Sequence, residues 1–397
     1  MVSFAVFLLL CIGGNVYGSS EPKLQSVGLS KFIVWFRNET SLLVLWNPPD
    51  PSIAYTRFKV SISPPDAKKS ELYIETNDYP PGPQQAAFIG LVPGREYNIS
   101  LQTMSGDEVS ASIFGRYRTV PSRPRNVNAP LADLTETSFT VTWQPPAEDT
   151  EFDQYHVSVK GGGGKRLKPS LHSKSDTSAT FEGLEPGANY TVTVKTMSGK
   201  ITSWPSTTEL TLKPLPVTAL TYQNKNKPKD GAIIKWKPSE GSTQDSYKVS
   251  WQEDSTAGDS GVAFNTTDTS VLLDALLPGR QYNVTVSSVS STVESNASLV
   301  TLAMRPLAPM LARATVDLNS IEVRWYSDTE SFQDSYELRY RRTAEPNEPF
   351  QTFATVDTTA YLTGLTPGTT YEIDLVAISH GLRSGTNKII IDTSYYT

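Results

Sequence analysis

The seven-residue pattern Leu-x-Pro-Gly-x-x-Tyr occurs four times in this 397-residue chain, at Leu91 to Tyr97, Leu184 to Tyr190, Leu276 to Tyr282 and Leu365 to Tyr371. In each copy Pro-Gly sets the dihedrals of a tight turn, the leucine before it can plug a core, and the tyrosine after it can return its hydroxyl to a backbone group. Successive corner tyrosines are 93, 92 and 89 residues apart. A period of this kind means one structural unit used four times in tandem, and it restricts the chain to folds of about 90 residues that can be strung together.

Two further landmarks recur in the same order. A tryptophan closes an alternating run at Leu43-Val-Leu-Trp46, Thr140-Val-Thr-Trp143, Ile233-Ile-Lys-Trp236 and Glu322-Val-Arg-Trp325, with spacings of 97, 93 and 89. Period-two alternation of this kind predicts half-buried strands with the tryptophan turned into a core. Prolines 48, 49, 145, 146 and 238 end the first three of these strands. A second alternating strand starts 11 or 12 residues after each tryptophan, at Phe58, Tyr155, Tyr247 and Tyr336. The expected fold is all-β, four seven-strand antiparallel sandwiches in a row. Short proline-bearing linkers, Thr119 to Pro124, Lys213 to Pro216 and Met304 to Pro309, are too short for free tumbling and predict a semi-rigid rod. The expected boundaries are 1–18 for a leader, then 19–120, 121–213, 214–305 and 306–397 for the four repeats.

The leader is read from the apolar run Phe4 to Ile12, which Gly13, Gly14 and Asn15 interrupt. That core is too short to span a bilayer, and small residues at Val16 and Gly18 suit cleavage after Gly18, although no Lys or Arg precedes the run. The only cysteine, Cys11, lies inside it, so the expected mature chain has no disulfide, no thiol and no cysteine-ligated metal. Each repeat must stand on packing alone, which excludes disulfide-bridged immunoglobulin domains, growth-factor-like modules and zinc ribbons. A net charge of -6 opposes any general attraction to nucleic acid or anionic membranes. Ile391 to Thr397 falls where a further linker would begin, which favours part of a longer receptor over a secreted protein.

With the tryptophan, the strand tyrosine and the Leu-x-Pro-Gly-x-x-Tyr corner in place, the chain resembles the fibronectin type III family from about residue 22 to 394. Phe58 stands where the family has tyrosine, and Tyr326-Ser-Asp328 follows the fourth tryptophan without a proline. A second near-repeat follows each corner tyrosine: Gln102-Thr-Met-Ser-Gly106, Lys195-Thr-Met-Ser-Gly199, Ser288-Val-Ser290 and Ala377-Ile-Ser-His-Gly381. A Pro-Gly-Arg-x-Tyr-Asn corner followed by such a hairpin is similar to the extracellular repeats of receptor-type protein tyrosine phosphatases of the density-enhanced and vascular endothelial class and their insect axonal relatives. The resemblance implies a single-pass receptor that meets other surface proteins. The phosphatase itself is not implied for this chain, because its His-Cys-x5-Arg loop needs a thiolate.

Six Asn-x-Ser/Thr sequons occur, at Asn38, Asn98, Asn189, Asn265, Asn283 and Asn296. Three of them neighbour corner tyrosines, so an inward tyrosine turns the asparagine outward, where a glycan does not disturb the core. The residues expected to build the cores are Trp46, Trp143, Trp236, Trp325, Tyr97, Tyr190, Tyr282 and Tyr371. His156, His172 and His380 are scattered over different repeats and suggest no metal cluster. No Gly-x-Ser-x-Gly elbow and no Arg-Gly-Asp triplet occurs. The acidic stretch Glu148 to Asp153 reads as a solvated loop rather than a calcium site, and Gly161 to Gly164 reads as a strand connection rather than a phosphate cradle, since no helix follows.

Two basic sets are candidate contacts for heparan sulfate or an acidic protein surface. Arg339, Arg341 and Arg342 with Arg324 are expected on an exposed sheet edge, and Arg116, Arg118, Arg123 and Arg125 surround the first linker. The apolar run Phe32 to Phe36 is either an extended first strand or an exposed contact patch. The expected function is extracellular recognition of cell-surface or matrix proteins by a receptor, without a catalytic site, cofactor or metal in this chain. A secreted or membrane adhesion or matrix protein and the accessory repeats of a secreted enzyme remain the alternatives.

Overall fold

A computed structural model describes Leu29 and residues 31–50, 52, 54–76, 82–147, 149–162, 166–254, 261 and 263–395. The proposed leader with Cys11 lies outside them, as do Glu148 of the acidic stretch and Gly163 and Gly164 of the glycine run. Among the described residues no helix is long and apolar enough to cross a membrane.

The chain divides into two compact units. The first comprises Met1–Leu134, Phe139–Phe181 and Asn189–Leu210. Its N-terminal sandwich shows the plan of all four. Strands β1 (Phe32–Arg37), β2 (Ser41–Trp46) and β5 (Gln84–Ile89) form one sheet in the order β1-β2-β5. Strands β3 (Arg57–Ser63), β4 (Glu71–Glu75), β6 (Glu96–Ser105) and β8 (Ile113–Arg118) form the other, with β6 at its centre between β3 and β8. A two-residue strand, β7 (Glu108–Val109), pairs with the far end of β6. All pairings are antiparallel. Alternation along each strand sends Leu42, Val44 and Trp46 of β2, Phe58, Val60 and Ile62 of β3, and Tyr97, Ile99 and Leu101 of β6 into a single buried cluster. The second sandwich repeats these pairings, with Phe139–Gln144 in the place of β2 and Asn189–Ser198 in that of β6.

The second unit comprises Thr135–Ser138, Glu182–Ala188 and Thr211–Thr397. It holds the third and fourth sandwiches, each again a three-stranded sheet against a five-stranded one. Their cores are separate clusters, centred on Trp236 with Tyr247 and on Trp325 with Tyr336. Every repeat places its tryptophan edge-on against the aromatic ring that opens the next strand. The ring centroids are 5.2, 5.3, 5.4 and 5.3 Å apart for Trp46–Phe58, Trp143–Tyr155, Trp236–Tyr247 and Trp325–Tyr336. Phe58 therefore keeps the ring contact and gives up only the hydroxyl of a tyrosine.

Candidate recognition surfaces

The Pro-Gly corners do more than close their own repeats. The leucine that opens each one is buried. The hydroxyls of Tyr97, Tyr282 and Tyr371 accept hydrogen bonds from the backbone N–H of Val92, Leu277 and Thr366 at 2.8, 2.8 and 2.9 Å, which fixes the turn from inside. The two carbonyls of the turn then point outward and are used by the sandwich that follows. In the first unit, Pro93 accepts from the Glu151 N–H at 2.9 Å and Gly94 accepts from the Ser198 hydroxyl at 2.6 Å. In the second unit, Pro278 accepts from the Phe332 N–H at 3.0 Å and Gly279 from the Ser379 hydroxyl at 2.6 Å. The segment Glu182–Ala188, which belongs to that unit, makes the same pair of bonds with Thr243 and Ser290, at 2.9 and 2.6 Å. A Cβ added to Gly94, Gly187 or Gly279 would lie 1.8 Å from the carbonyl oxygen of Glu151, Thr243 or Phe332. The three serines occupy one position of the near-repeat that follows the corner tyrosine. From the sequence that near-repeat reads as a hairpin and as part of a family resemblance, and its recurrence is the one signal of the seam.

Charged groups reinforce these seams. Arg95 bonds Glu151 at 2.7 Å and Asp66 at 2.8 Å, and Tyr97 donates to the same Asp66 oxygen at 2.8 Å. Partial burial works to raise the Asp66 carboxyl, but the bonds from Arg95 and Tyr97 hold it below its ordinary value. Lys229 reaches Glu330 at 2.6 Å in the second unit. The acidic loop is also structural, since Asp153 accepts from the Gly199 N–H at 2.6 Å and Glu151 serves Arg95. Asp245 and Asp334 make the equivalent bonds to Ser291 and His380 at 2.6 and 2.7 Å. Among the described residues, no group of three or more His, Cys, Asp or Glu is placed to hold a metal ion. His156 is half-buried, while His172 lies against Trp143, with its Nε2 2.8 Å from the Ser170 hydroxyl.

The basic set of the fourth repeat is not on a sheet edge, and this corrects the sequence reading. Arg339, Arg341 and Arg342 lie on Ser335–Arg342, an inner strand with Gln351–Thr355 on one side and Thr370–Ser379 on the other. Arg324 belongs to the opposite sheet of that sandwich. All four guanidinium groups are ion-paired: Arg324 with Glu322 at 2.7 Å, Arg339 with Asp374 at 2.9 Å, Arg341 with Glu372 at 3.3 Å and Arg342 with Glu348 at 2.5 Å. The bonds from Lys388 and Arg341 keep the Glu372 carboxyl below its usual range. Arg339 and Arg341 also sit over the ring of Phe350, at 5.0 and 4.3 Å. Around the first linker, Arg118 bonds Ser198 at 2.9 Å and Glu96 at 3.3 Å, and Arg125 bonds the Pro145 carbonyl at 3.0 Å. Arg116 and Arg123 are exposed and make no ion pair among the described residues.

Asn98, Asn189, Asn265 and Asn296 are exposed. Asn283 is half-buried, with its Oδ1 accepting from the Thr301 hydroxyl at 2.9 Å, and the Asn38 Oδ1 accepts from the Thr40 N–H in the turn after β1.

The chain is similar in sequence to several known proteins. Tenascin-R of Rattus norvegicus is 25% identical over 362 residues, covering 89% of this chain and 25% of that protein. Receptor-type tyrosine-protein phosphatase H of Homo sapiens is 26% identical over 308 residues, covering 77% of this chain and 27% of that protein. The chain thus spans about a quarter of the length of these relatives. Among solved structures, a two-fibronectin type-III domain segment from chicken tenascin is 26% identical and covers 46% of this chain and 99% of that one, with a TM-score of 0.34. The fibronectin type III domain model matches residues 29–116, 122–210, 216–301 and 308–392, and the chain belongs to that family as four tandem fibronectin type III domains.

Proposed function

We propose that this chain is the extracellular recognition region of a cell-surface receptor of the receptor-type tyrosine phosphatase kind, with a leader at 1–18 and repeats bounded at 19–120, 121–213, 214–305 and 306–397. The observation that carries the reading is the match to receptor-type tyrosine-protein phosphatase H over 77% of the chain, in fibronectin type III repeats alone. The chain's single cysteine, Cys11, falls in the proposed leader, so any phosphatase chemistry belongs to another part of the protein. The match to tenascin-R over 89% of the chain favours an adhesion or matrix protein as the second reading.

The partners in this reading are cell-surface or matrix proteins, met through loops and strand edges on a repeated scaffold. Of the two basic sets, the linker set is the better candidate for heparan sulfate. Exposed Arg116 and Arg123 can meet a sulfate without first breaking an internal ion pair, whereas Arg324, Arg339, Arg341 and Arg342 would each have to leave a carboxylate.

Weak contacts are reinforced when both partners are arrayed, so an Fc-clustered form is expected to bind a panel of cells at least tenfold better than the monomer. The bare chain is expected to release no phosphate from a phosphotyrosine peptide. Phosphate release, or equal binding by clustered and monomeric forms, would count against the proposal. If enzymatic removal of heparan sulfate lowers the binding, charge removal at Arg116 and Arg123 should lower it equally, and at Arg339 and Arg341 it should not.

Glycans are expected at Asn98 and Asn283, each beside a buried corner tyrosine. Peptide mass spectrometry of material from a secretory host checks this. Two bare asparagines in a folded, secreted chain would mean that these faces are covered.

A further inference from the structure

The outer face of the β1-β2-β5 sheet is more apolar than the matching face of the other three repeats. Strand register brings Ile33 opposite Leu45, Phe36 opposite Leu43 and Leu43 opposite Ala87, while Ile89 lies across from Ser41 on the same face. A bulge between Val34 and Phe36 adds a residue to β1, so Trp35 and Phe36 together face the single Leu43 and both turn outward. Ile33, Trp35, Phe36 and Ile89 are 43%, 71%, 50% and 48% exposed, and the core lies behind them on Leu42, Val44 and Phe88.

The equivalent positions are mainly polar in the second and fourth repeats and mixed in the third. In the second repeat Thr140 pairs with Thr180, their hydroxyls 3.0 Å apart, and Thr142 lies opposite Ser178. In the third, Ile233 lies opposite Leu272, which is 46% exposed, but exposed Lys235 opposite Ser270 interrupts the apolar row. In the fourth, Glu322 and Arg324 form an ion pair on the face. An outward apolar face is thus no requirement of the sandwich. Scattered apolar residues on a surface need no explanation, but a contiguous row across three strands does.

Charge and area indicate what covers it. The three strands Phe32–Arg37, Ser41–Trp46 and Gln84–Ile89 contain no carboxylate, and their only charge is Arg37, whose guanidinium donates to the Arg118 carbonyl at 3.2 Å. No sequon lies on them; Asn38 sits in the turn beyond β1. Two copies of a chain with net charge -6 repel each other, and this face lets them meet without opposing carboxylates. Three strands of six residues present on the order of 300 Å². A stable dimer buries about 800 Å² on each partner, so the face is the apolar centre of a weak, reversible contact and not an obligate interface.

We propose that this face is a self-association surface, on which a second copy of the chain packs its own β1-β2-β5 sheet face to face about a two-fold axis. An isologous contact puts Trp35, Phe36 and Leu43 of each copy against the same residues of the other, as two sheets pack in a sandwich.

Sedimentation velocity of the glycosylated, unclustered chain between about 1 and 100 µM, the range where weak contacts titrate, tests it. The expected result is a concentration-dependent shift from monomer to dimer. Trp35→Glu should weaken the dimer at least tenfold by opposing two carboxylates across the axis, and Ile89→Lys should weaken it from the far side of the sheet. Mixing Trp35→Glu with Trp35→Lys should restore association, as only direct apposition of the two faces would allow. Thr140→Glu, at the matching position of the second repeat, should change nothing. Circular dichroism melts confirm that each variant is folded. A monomer throughout the range, a dimer indifferent to Trp35→Glu, or no rescue in the mixture would overturn the proposal. So would a monomer in solution that sediments with phosphatidylcholine vesicles through Trp35, which would make the occupant a lipid surface.

Discussion

Replacing Trp236 by alanine is expected to destabilise the third sandwich by about 3 to 5 kcal/mol, the usual result of removing a large buried aromatic from a packed core. The indole is buried among Ile234, Val249, Val284 and Leu302 and lies edge-on to Tyr247 at 5.4 Å, so the substitution leaves a cavity and removes a ring pair together. With roughly 5 to 15 kcal/mol available to a domain, the third repeat should melt first. Calorimetry of the whole chain should resolve an early transition, and hydrogen exchange should place it between Thr218 and Ala303. The core clusters around Trp46 and Trp325 share no residue with the one around Trp236, so those repeats should keep their own melting temperatures. An equal downward shift of all four would contradict independent cores.

Gly279→Ala is expected to damage two repeats at once. Gly279 has φ +77°, where a side chain costs roughly 1 to 3 kcal/mol of backbone strain. The new Cβ would also lie 1.8 Å from the Phe332 carbonyl oxygen, so the fourth sandwich must withdraw and surrender the bonds from the Phe332 N–H and the Ser379 hydroxyl. Gly364 supplies the control, with φ +76° and no atom within 4 Å of an added Cβ. Gly364→Ala should cost only the strain. Amide exchange separates the two effects: Phe332 should lose protection at least tenfold in Gly279→Ala and keep it in Gly364→Ala. Unchanged protection of Phe332 in Gly279→Ala would show that the seam tolerates the side chain.

What could be read from the sequence was what each repeat writes within a few adjacent residues. The all-β class followed from alternation such as Thr140-Val141-Thr142-Trp143, and the corner followed from seven residues whose turn chemistry is local. The seams were not legible, because the acceptors at Pro93, Gly94, Pro278 and Gly279 are backbone carbonyls that leave no trace in residue type. Ser198, Ser290 and Ser379 recur at one position, but their partners lie 104, 103 and 100 residues away. The arginines of the fourth repeat were misplaced for a related reason. Glu345 to Pro349 reads as loop, which hides the strand Gln351–Thr355 that covers Ser335–Arg342. The pairs Arg339–Asp374 and Arg341–Glu372 are cross-strand neighbours whose meeting depends on register, and register is a tertiary property. The apolar run at Phe32 to Phe36 was visible, whereas its junction with Leu43, Leu45 and Ile89 into one face required the sheet order.

The seam chemistry also gives the chain a direction. In each of the three seams the acceptors are carbonyls of a Pro-Gly corner, and the donors are a loop N–H and a serine hydroxyl at a strand end of the repeat that follows. A repeat can therefore be gained or lost whole, since the new neighbours still match donor to acceptor, while a truncation inside a repeat strands one half of a seam. An inverted repeat would face acceptors with acceptors. Such a seam is a grammar for recombination: gene duplication can lengthen or shorten the array and keep the backbone and serine bonds of each seam, provided the corner glycine and the answering serine travel together, while pairs particular to one seam, such as Arg95–Glu151 and Lys229–Glu330, are given up.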